Sequence, residues 1–328
     1  MSERILFVID EIELKYFEFN DLVTDFWFIK EFLERDYKIG VTTKNRLFVE
    51  NAEGKSLFFE SFLKNGDIFV EKEEKKEAIN NFDIVFFRPD PPVDIDYINA
   101  CYVFDFVDRS KTILINDPKS VKDFNEKLHA NYFPNYMPKN IVTSSKKLIR
   151  EFVEENEEAI IKPLNRCFGS GVFYLNKNDK NLNSIISTAT GNEKTIVMVQ
   201  KYLPSAINGD KRVLIIGDKV YEKSVKKLPG EQDFKFNTHS DKFFQKETLT
   251  SNEKKIAKDI AKTLNEHGLF LIGLDMIEEK VIEINVTSPC YFIREINANH
   301  CVNFEKEIME DLITLIKNIK EKTLCKLH

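Results

Sequence analysis

The chain has 328 residues, about twice the usual domain length, so two or three domains with a large core are expected and a disulfide-dependent miniature is excluded. Its 48 basic and 54 acidic residues leave a net charge of -6, which argues against a chain built to coat nucleic acid or an anionic membrane and favours small-molecule partners. Cys101, Cys167, Cys290, Cys301 and Cys325 show no Cys-x-x-Cys or zinc spacing, the first apolar run is too short for a signal peptide, and no run reaches the about 18 apolar residues of a membrane span; a soluble cytoplasmic protein with reduced thiols is expected.

Ile5 to Ile9 is a continuous apolar run suited to a buried parallel strand, and Asp21 to Arg35 follows with Phe26, Ile29 and Leu33 on one helical stripe. Val41 to Glu50, Lys55 to Phe59 and Asp67 to Val70 read as short strands, and the mixed charges of 71–77 as a solvated face. Ile84 to Phe87 returns as a buried strand ending at Arg88-Pro-Asp-Pro-Pro. Ligands sit beyond the carboxyl ends of parallel strands, so Arg88 and Asp90 are candidates to face a substrate. Tyr97 to Val107 reads as a helix, Thr112 to Ile115 as a strand, and the first domain is expected to end near Asn116-Asp117-Pro118.

Ser120 to His129 looks helical and carries Lys127; Asn140 to Thr143 and Ser145 to Glu155 give a strand and a helix capped by Ser144 or Ser145. Ala159 to Lys162 and Val172 to Leu175 are strands around a loop with Gly169 and Gly171, whose backbone N–H groups can approach an anion. Ile196 to Gln200 leads into Lys201-Tyr202-Leu203-Pro204, and Gly209-Asp210-Lys211-Arg212 opens the strands Val213 to Ile216 and Lys219 to Ser224. Residues 226–248 lack periodicity and read as a long loop, 228–246 as a lid. Thr250 to His267 and Asn303 to Lys322 are amphipathic helices.

The run Leu269 to Pro289 reads as a hairpin. A three-residue turn at Glu278, Glu279 and Lys280 would set Asp275 opposite Glu283, and the period of two puts Asn285 on the same face, with Ile282, Ile284 and Val286 pointing away. Like charges opposite one another call for a cation between them, and Asp, Glu and Asn oxygens are the hard ligands Mg²⁺ takes. On this segment alone, a hairpin with its polar face in water remains the alternative.

Taken together, Arg88-Pro-Asp-Pro-Pro, Asn116-Asp-Pro-Lys-Ser, Asn125-Glu-Lys-Leu, Ile161-Lys-Pro-Leu, Gln200-Lys-Tyr-Leu-Pro, Gly209-Asp-Lys-Arg-Val-Leu, Gly273-Leu-Asp, Glu283-Ile-Asn-Val-Thr-Ser-Pro and Ile293-Arg-Glu-Ile resemble the bacterial glutathione synthetases of the ATP-grasp superfamily. The resemblance covers nearly the whole chain. It implies an α/β plus α+β architecture: an N-terminal parallel-sheet domain over 1–120 on the substrate side, a central lid subdomain over 121–203, and a C-terminal subdomain with the metal site over 204–328. The implied reaction joins γ-glutamylcysteine and glycine at the expense of ATP, with Mg²⁺ or Mn²⁺, in a cytoplasmic homo-oligomer with no nucleic-acid or membrane partner. Lys127 and Lys162 match the lysines on nucleotide phosphates. Gln200, Lys201, Tyr202 and Leu203 match the hinge beside adenine, Asp210 the ribose-side or hinge-side carboxylate, and Arg212 the cation nearest the transferring phosphoryl group. Asp275, Glu283 and Asn285 fall on the metal ligands; Arg88, Lys227, Ser288, Arg294 and Glu295 fall where the family places peptide groups.

Two stretches depart from the family pattern. Arg166, Cys167 and Phe168 precede Gly169 where the family has a Gly-Met-Gly-Gly character. The lid carries Phe234, Phe236, Phe243 and Phe244, with Lys227 and Lys235 where arginines are expected. A lysine cannot reproduce a bidentate grip on a carboxylate. These changes keep two other readings open: a related ligase with a different acid or amine, and a nucleotide-binding homologue with impaired catalysis.

Overall fold

A computed structural model of the chain describes residues 3–167, 169–230 and 243–326. Its first sheet begins with β1 (Arg4–Ile9), whose five apolar side chains after Arg4 are buried, followed by the helices α1 (Glu11–Lys15) and α2 (Thr24–Leu33). The sheet continues with β2 (Lys38–Thr43), β3 (Leu47–Glu50), β4 (Glu53–Lys64), β5 (Asp67–Ala78) and β6 (Ile84–Phe87); α3 (Ile95–Val103), β7 (Ile113–Ile115) and α4 (Pro118–Asp123) complete this part of the chain. Its order is β3-β4-β2-β1-β6-β7, with β5 on β4, and β2, β1, β6 and β7 run parallel. The buried runs supply the parallel centre, as expected of strands covered on both faces. The short strands expected at 55–59 and 67–70 are instead a hairpin of two 12-residue strands, and the charged run 71–77 lies in β5.

The second sheet is antiparallel, β10-β9-β11-β8. It comprises β8 (Asn140–Thr143), α5 (Lys146–Asn156), β9 (Glu158–Pro163), β10 (Phe173–Asn176), α6 (Leu182–Ala189) and β11 (Val197–Lys201). Ser145 caps α5, accepting from the Leu148 amide, a contact worth about 1 kcal/mol. Lys127 does not ride on a helix: α4 stops at Asp123, and the segment Asn125–Leu128 runs beside the third sheet, with the Ile284 amide donating to the Glu126 carbonyl at 3.1 Å.

The third sheet is built from β12 (Asp210–Ile216), β13 (Lys219–Val220), β14 (Lys223–Lys227), β15 (Phe244–Thr248), α7 (Ser251–Asn265), β16 (Leu271–Ile277) and β17 (Lys280–Asn285), with α8 (Ile293–His300) and α9 (Phe304–Lys326) closing the chain. Its order is β15-β14-β12-β16-β17, with β13 on β12. Part of the stretch read as a loop over 226–248 is sheet, since β14 and β15 pair from Lys223–Thr248 to Lys227–Phe244, and Phe244 is buried. Phe234, Lys235 and Phe236 lie outside the described residues.

The hairpin of β16 and β17 reaches the expected face by another route. The turn has two residues, Glu278 and Glu279, both at positive φ (46° and 61°), as a tight hairpin turn requires. Ile277 therefore pairs with Lys280 and Met276 with Val281. A bulge then spends Ile282 as an extra residue, and Asp275 returns to its place opposite Glu283. The bulge turns Ile282 toward the cleft described below, while Ile284 and Val286 go into the core.

Asn116, at the carboxyl end of β7, joins the first sheet to the third. Its Oδ1 accepts from the Phe270 and Leu271 amides (2.7 and 2.8 Å), and its Nδ2 donates to the Leu271 and Val286 carbonyls (2.8 and 2.7 Å). All four bonds are out of water's reach or nearly so, so Asn116→Ala strands backbone groups that cost about 1–3 kcal/mol each. The expected loss is about 3 kcal/mol or more by urea denaturation; a loss below about 1 kcal/mol would show that water replaces the side chain.

Candidate active site

A cleft of about 510 Å³ is lined by residues of the second and third sheets and by residues that follow β1 and β6 of the first, a size suited to a small-molecule ligand. Its floor is the third sheet. Register sets Arg212 on β12 opposite Asp275 on β16, and Asp210 opposite Lys227 on β14. Arg212 holds Asp275 with both Nε (2.7 Å) and Nη2 (3.0 Å), and its Nη1 donates to the Cys290 carbonyl at 3.0 Å. Lys227 Nζ bridges Asp275 Oδ1 (2.9 Å) and Asp210 Oδ2 (2.8 Å). Burial alone would raise the Asp275 carboxyl, but Arg212 and Lys227 outweigh it and hold the group well below the ordinary aspartate value. Burial pushes Asp210 the other way, upward, against the pull of Lys227. Gly209, at φ 95°, lets this corner close: a Cβ there would meet the Lys227 carbonyl at 2.5 Å.

Glu283, the cross-strand neighbour of Asp275, is paired with Lys127, whose Nζ donates to Glu283 Oε1 and to the Arg166 carbonyl, each at 2.8 Å. Each of the two opposed acids thus has cationic side chains of its own, Arg212 and Lys227 on Asp275 and Lys127 on Glu283. Asn285 Nδ2 donates to Asp275 Oδ2 and to the Gly273 carbonyl, both at 3.2 Å, which leaves Oδ1 as the oxygen it can offer a cation. Among the described residues, no group of three or more His, Cys, Asp or Glu is placed to hold a metal ion. The hairpin offers two carboxylates and an amide oxygen, a donor set that fits Mg²⁺ when phosphate oxygens and water complete its shell.

From the second sheet, Lys162 Nζ donates to Gln200 Oε1 (2.9 Å) and to the Ile282 carbonyl (3.4 Å). Burial, with help from Lys127, lowers the Lys162 ammonium to about 8. Among the described residues, the buried atoms Gln200 Nε2, Asp210 Oδ1 and Arg88 Nη1 have no partner, and all three residues line this cleft. A buried polar atom without a partner costs stability, and a polar ligand in the cleft would relieve that cost at these three.

Every residue to which the resemblance gives a role lines the cleft except Arg294, which grips Glu295 (Nη2 to Oε1, 2.7 Å) and lies 3.7 Å from Asp21; Glu295 itself does line it, and of the two loop glycines Gly169 lines it and Gly171 does not. Sequence reasoning missed Glu126, Glu13 and Asp25. Glu126 Oε1 accepts from the amides of Val286 (2.7 Å) and Thr287 (2.9 Å) and from the Thr287 hydroxyl (2.9 Å), fixing the chain just beyond the hairpin. It sits in the quoted Asn125-Glu-Lys-Leu, where only the lysine received a role. Asp25 is a fully buried carboxylate in the apolar helix α2, and a charge on such a face was the signal available.

The fold recurs in solved ligases. D-cycloserine synthetase DcsG matches with a TM-score of 0.64 over 94% of this chain and 100% of its own, at 13% identity. D-alanyl-alanine synthetase A from Vibrio cholerae matches with a TM-score of 0.59 over 98% of this chain and 100% of its own, also at 13% identity. Fold and cleft define an ATP-dependent carbon–nitrogen ligase of the ATP-grasp class. The profile of the prokaryotic glutathione synthetase N-terminal domain matches residues 4–122, and that of its ATP-grasp domain matches 126–300. Glutathione synthetase of Coxiella burnetii is 33% identical over 242 residues (74% of this chain, 75% of the relative), and that of a Nostoc species is 38% identical over 220 residues (67% of each). The chain belongs to the prokaryotic glutathione synthetase family.

The lowered Lys162 has a consequence for pH. In the free protein the amine is neutral above about pH 8; a phosphate placed beside it would favour the ammonium, so nucleotide bound there would take up a proton. Calorimetric titration is expected to show ATP affinity falling as pH rises from about 8 to 10, with Lys162→Met weaker throughout and flat in that range. A wild-type profile that is already flat would contradict the placement of Lys162 on phosphate.

Proposed function

We propose that the chain makes glutathione, joining the cysteinyl carboxylate of γ-glutamylcysteine to the amine of glycine at the expense of ATP. The observation that carries this is the convergence of Lys127, Lys162, Arg212 and the Asp275–Glu283–Asn285 hairpin in one cleft, in a chain whose relatives are named glutathione synthetases.

Lys127 and Lys162 hold the phosphates, and the buried Lys162 gives up little hydration to do so. Gln200 to Leu203 border adenine through the free Gln200 Nε2 and the hinge backbone, and Asp210 Oδ1 accepts from a nucleotide hydroxyl. Arg212 is fixed by Asp275 before substrate arrives, so it meets developing charge on the phosphoryl group without reorganising. Arg88, Ser288, Lys227 and Glu295 face the acid and amine, with Arg294 bracing Glu295. A Mg²⁺ or Mn²⁺ ion on Asp275, Glu283 and Asn285 supplies neutralisation of phosphate charge. The substrate carboxylate attacks the γ-phosphorus as the bond to ADP breaks. The resulting acyl phosphate is then opened by glycine's amine, which has lost its proton to solvent, and phosphate leaves. Positioning and charge carry both steps, and no protein nucleophile is needed.

The division at 120/121 and 203/204, a homo-oligomeric state and a cytoplasmic setting belong to this same reading. One observation favours a second reading, a ligase with another amine: Lys227 spends its charge on Asp210 and Asp275 and is not set to grip an incoming carboxylate.

Phosphate release from ATP, with γ-glutamylcysteine and glycine each omitted in turn, tests the assignment. Release is expected only with all three present, and Glu283→Gln or Asn285→Ala is expected to cut it by about a hundredfold at limiting Mg²⁺ in a folded protein. Release that persists with another amine in place of glycine favours the second reading, and full activity in either variant overturns the metal assignment.

A further inference from the structure

Between β17 and α8 the chain passes along the cleft and anchors itself in the core. The Tyr291 amide donates to Thr24 Oγ1 at 3.0 Å; its side chain is fully buried, with the ring against Phe28 and the hydroxyl on the Ile215 carbonyl at 2.7 Å. Phe292 then takes a left-handed backbone, φ 48° and ψ 43°, which bulky side chains avoid. That turn brings the next ring back to the cleft. Among the described residues, the cleft has two aromatic lining residues, Tyr202 at the hinge and Phe292. Backbone this uncommon beside a ligand cleft points from the outlier to a use for it.

One ring and two cations confine the Phe292 side chain. Phe244 of β15 packs against it with ring centroids 5.2 Å apart, the Arg212 guanidinium lies over it at 5.2 Å, and Lys227 Nζ stands 5.9 Å from its centre. Arg212 already engages Asp275 and the Cys290 carbonyl with three N–H groups. It therefore meets a phosphoryl group in its own plane, by the N–H groups that remain. The acyl carbon joined to that phosphate then comes within a side chain's reach of the ring. An amine that attacks this carbon has to fit its own α-carbon into the same space.

We propose that Phe292 limits the size of the amine: its ring stands against one of the two hydrogens on the α-carbon of glycine and leaves no room for a side chain there. This rests on the ligase reading and adds to it the residue that decides which amines the acyl phosphate accepts. Phe292 acts by volume and makes no polar contact with the amine. A close-packed wall tolerates an extra methyl group badly when it cannot shift, and this ring is confined by Phe244, by Arg212 and by its own backbone. A single ring faces a single hydrogen, so the restriction has a hand.

The test measures kcat/KM on the full chain for glycine, L-alanine and D-alanine with γ-glutamylcysteine, Mg²⁺ and ATP. Hydroxylamine, a small nucleophile, reports the acyl phosphate as a hydroxamate in parallel. Phe292→Gly removes the ring and suits the left-handed backbone, while Phe292→Leu keeps much of the volume. Each preference is a ratio taken on one preparation, so partial folding does not alter it. Wild type is expected to prefer glycine over either alanine by at least about tenfold. In Phe292→Gly the preference over one enantiomer of alanine is expected to shrink by about tenfold, with the other changed little, and Phe292→Leu is expected to fall between. An unchanged glycine preference in Phe292→Gly, an equal gain for both enantiomers, or a wild type that takes the alanines as well as glycine overturns the role of Phe292. Hydroxamate formed in any of those cases leaves the ligase reading standing. Neither hydroxamate nor phosphate release from wild type with any of the amines overturns both.

Discussion

Asp275 lies inside the protein with a bidentate arginine and a lysine on it, and the placement of the site depends on that carboxylate. Burying an ion group of this kind brings no assured gain in stability, because the desolvation of each charge offsets their attraction. What it does secure is position. Arg212, Lys227 and Asn285 reach Asp275 from the strands β12, β14 and β17, so one carboxylate sets the side chains of four strands relative to one another. The charges of the cleft floor are thereby held in place before any ligand arrives.

The rest of the cleft is fastened to this floor by polar contacts that the apolar core could not supply. Asn116 ties the end of the parallel sheet to β16 and to the residue after β17, and Glu126 holds the Val286 and Thr287 amides. Lys127, the neighbour of Glu126, is thereby delivered to Glu283. The core crosses the same junction, since one cluster joins Leu6 and Phe87 of the first sheet to Val213, Leu274 and Ile284 of the third. A cleft built across such a junction takes side chains from both antiparallel sheets and from the segments that follow the strands of the parallel one.

Much of this was legible because local chemistry and the period of a strand agree. Apolar runs at Ile5–Ile9 and Ile84–Phe87 read directly as buried parallel strands, and alternation put Asp275, Glu283 and Asn285 on one face. The three-residue turn was mistaken, yet the opposition of Asp275 and Glu283 stands, because the bulge at Ile282 offsets the shorter turn. Pattern alone could not separate the two, since each gives the same parity at Glu283. What stayed illegible depends on tertiary contact. The β4–β5 hairpin carries lysines and glutamates that read as a solvated face, and the strands they ride on show in pairs made across the hairpin, as Lys75 with Glu60. Asp25 sits in an apolar helix and makes sense only once Arg88 arrives from 63 residues away.

In the proposed reaction this cleft activates a carboxylate by phosphoryl transfer, using fixed charges and no protein nucleophile. The most direct measurement uses γ-glutamylcysteine labelled with ¹⁸O in its cysteinyl carboxylate, turned over with ATP and glycine, followed by mass analysis of the phosphate released. One labelled oxygen is expected in each phosphate, carried there through the acyl phosphate. Unlabelled phosphate, with the label retained in the peptide or lost to water, would contradict the account.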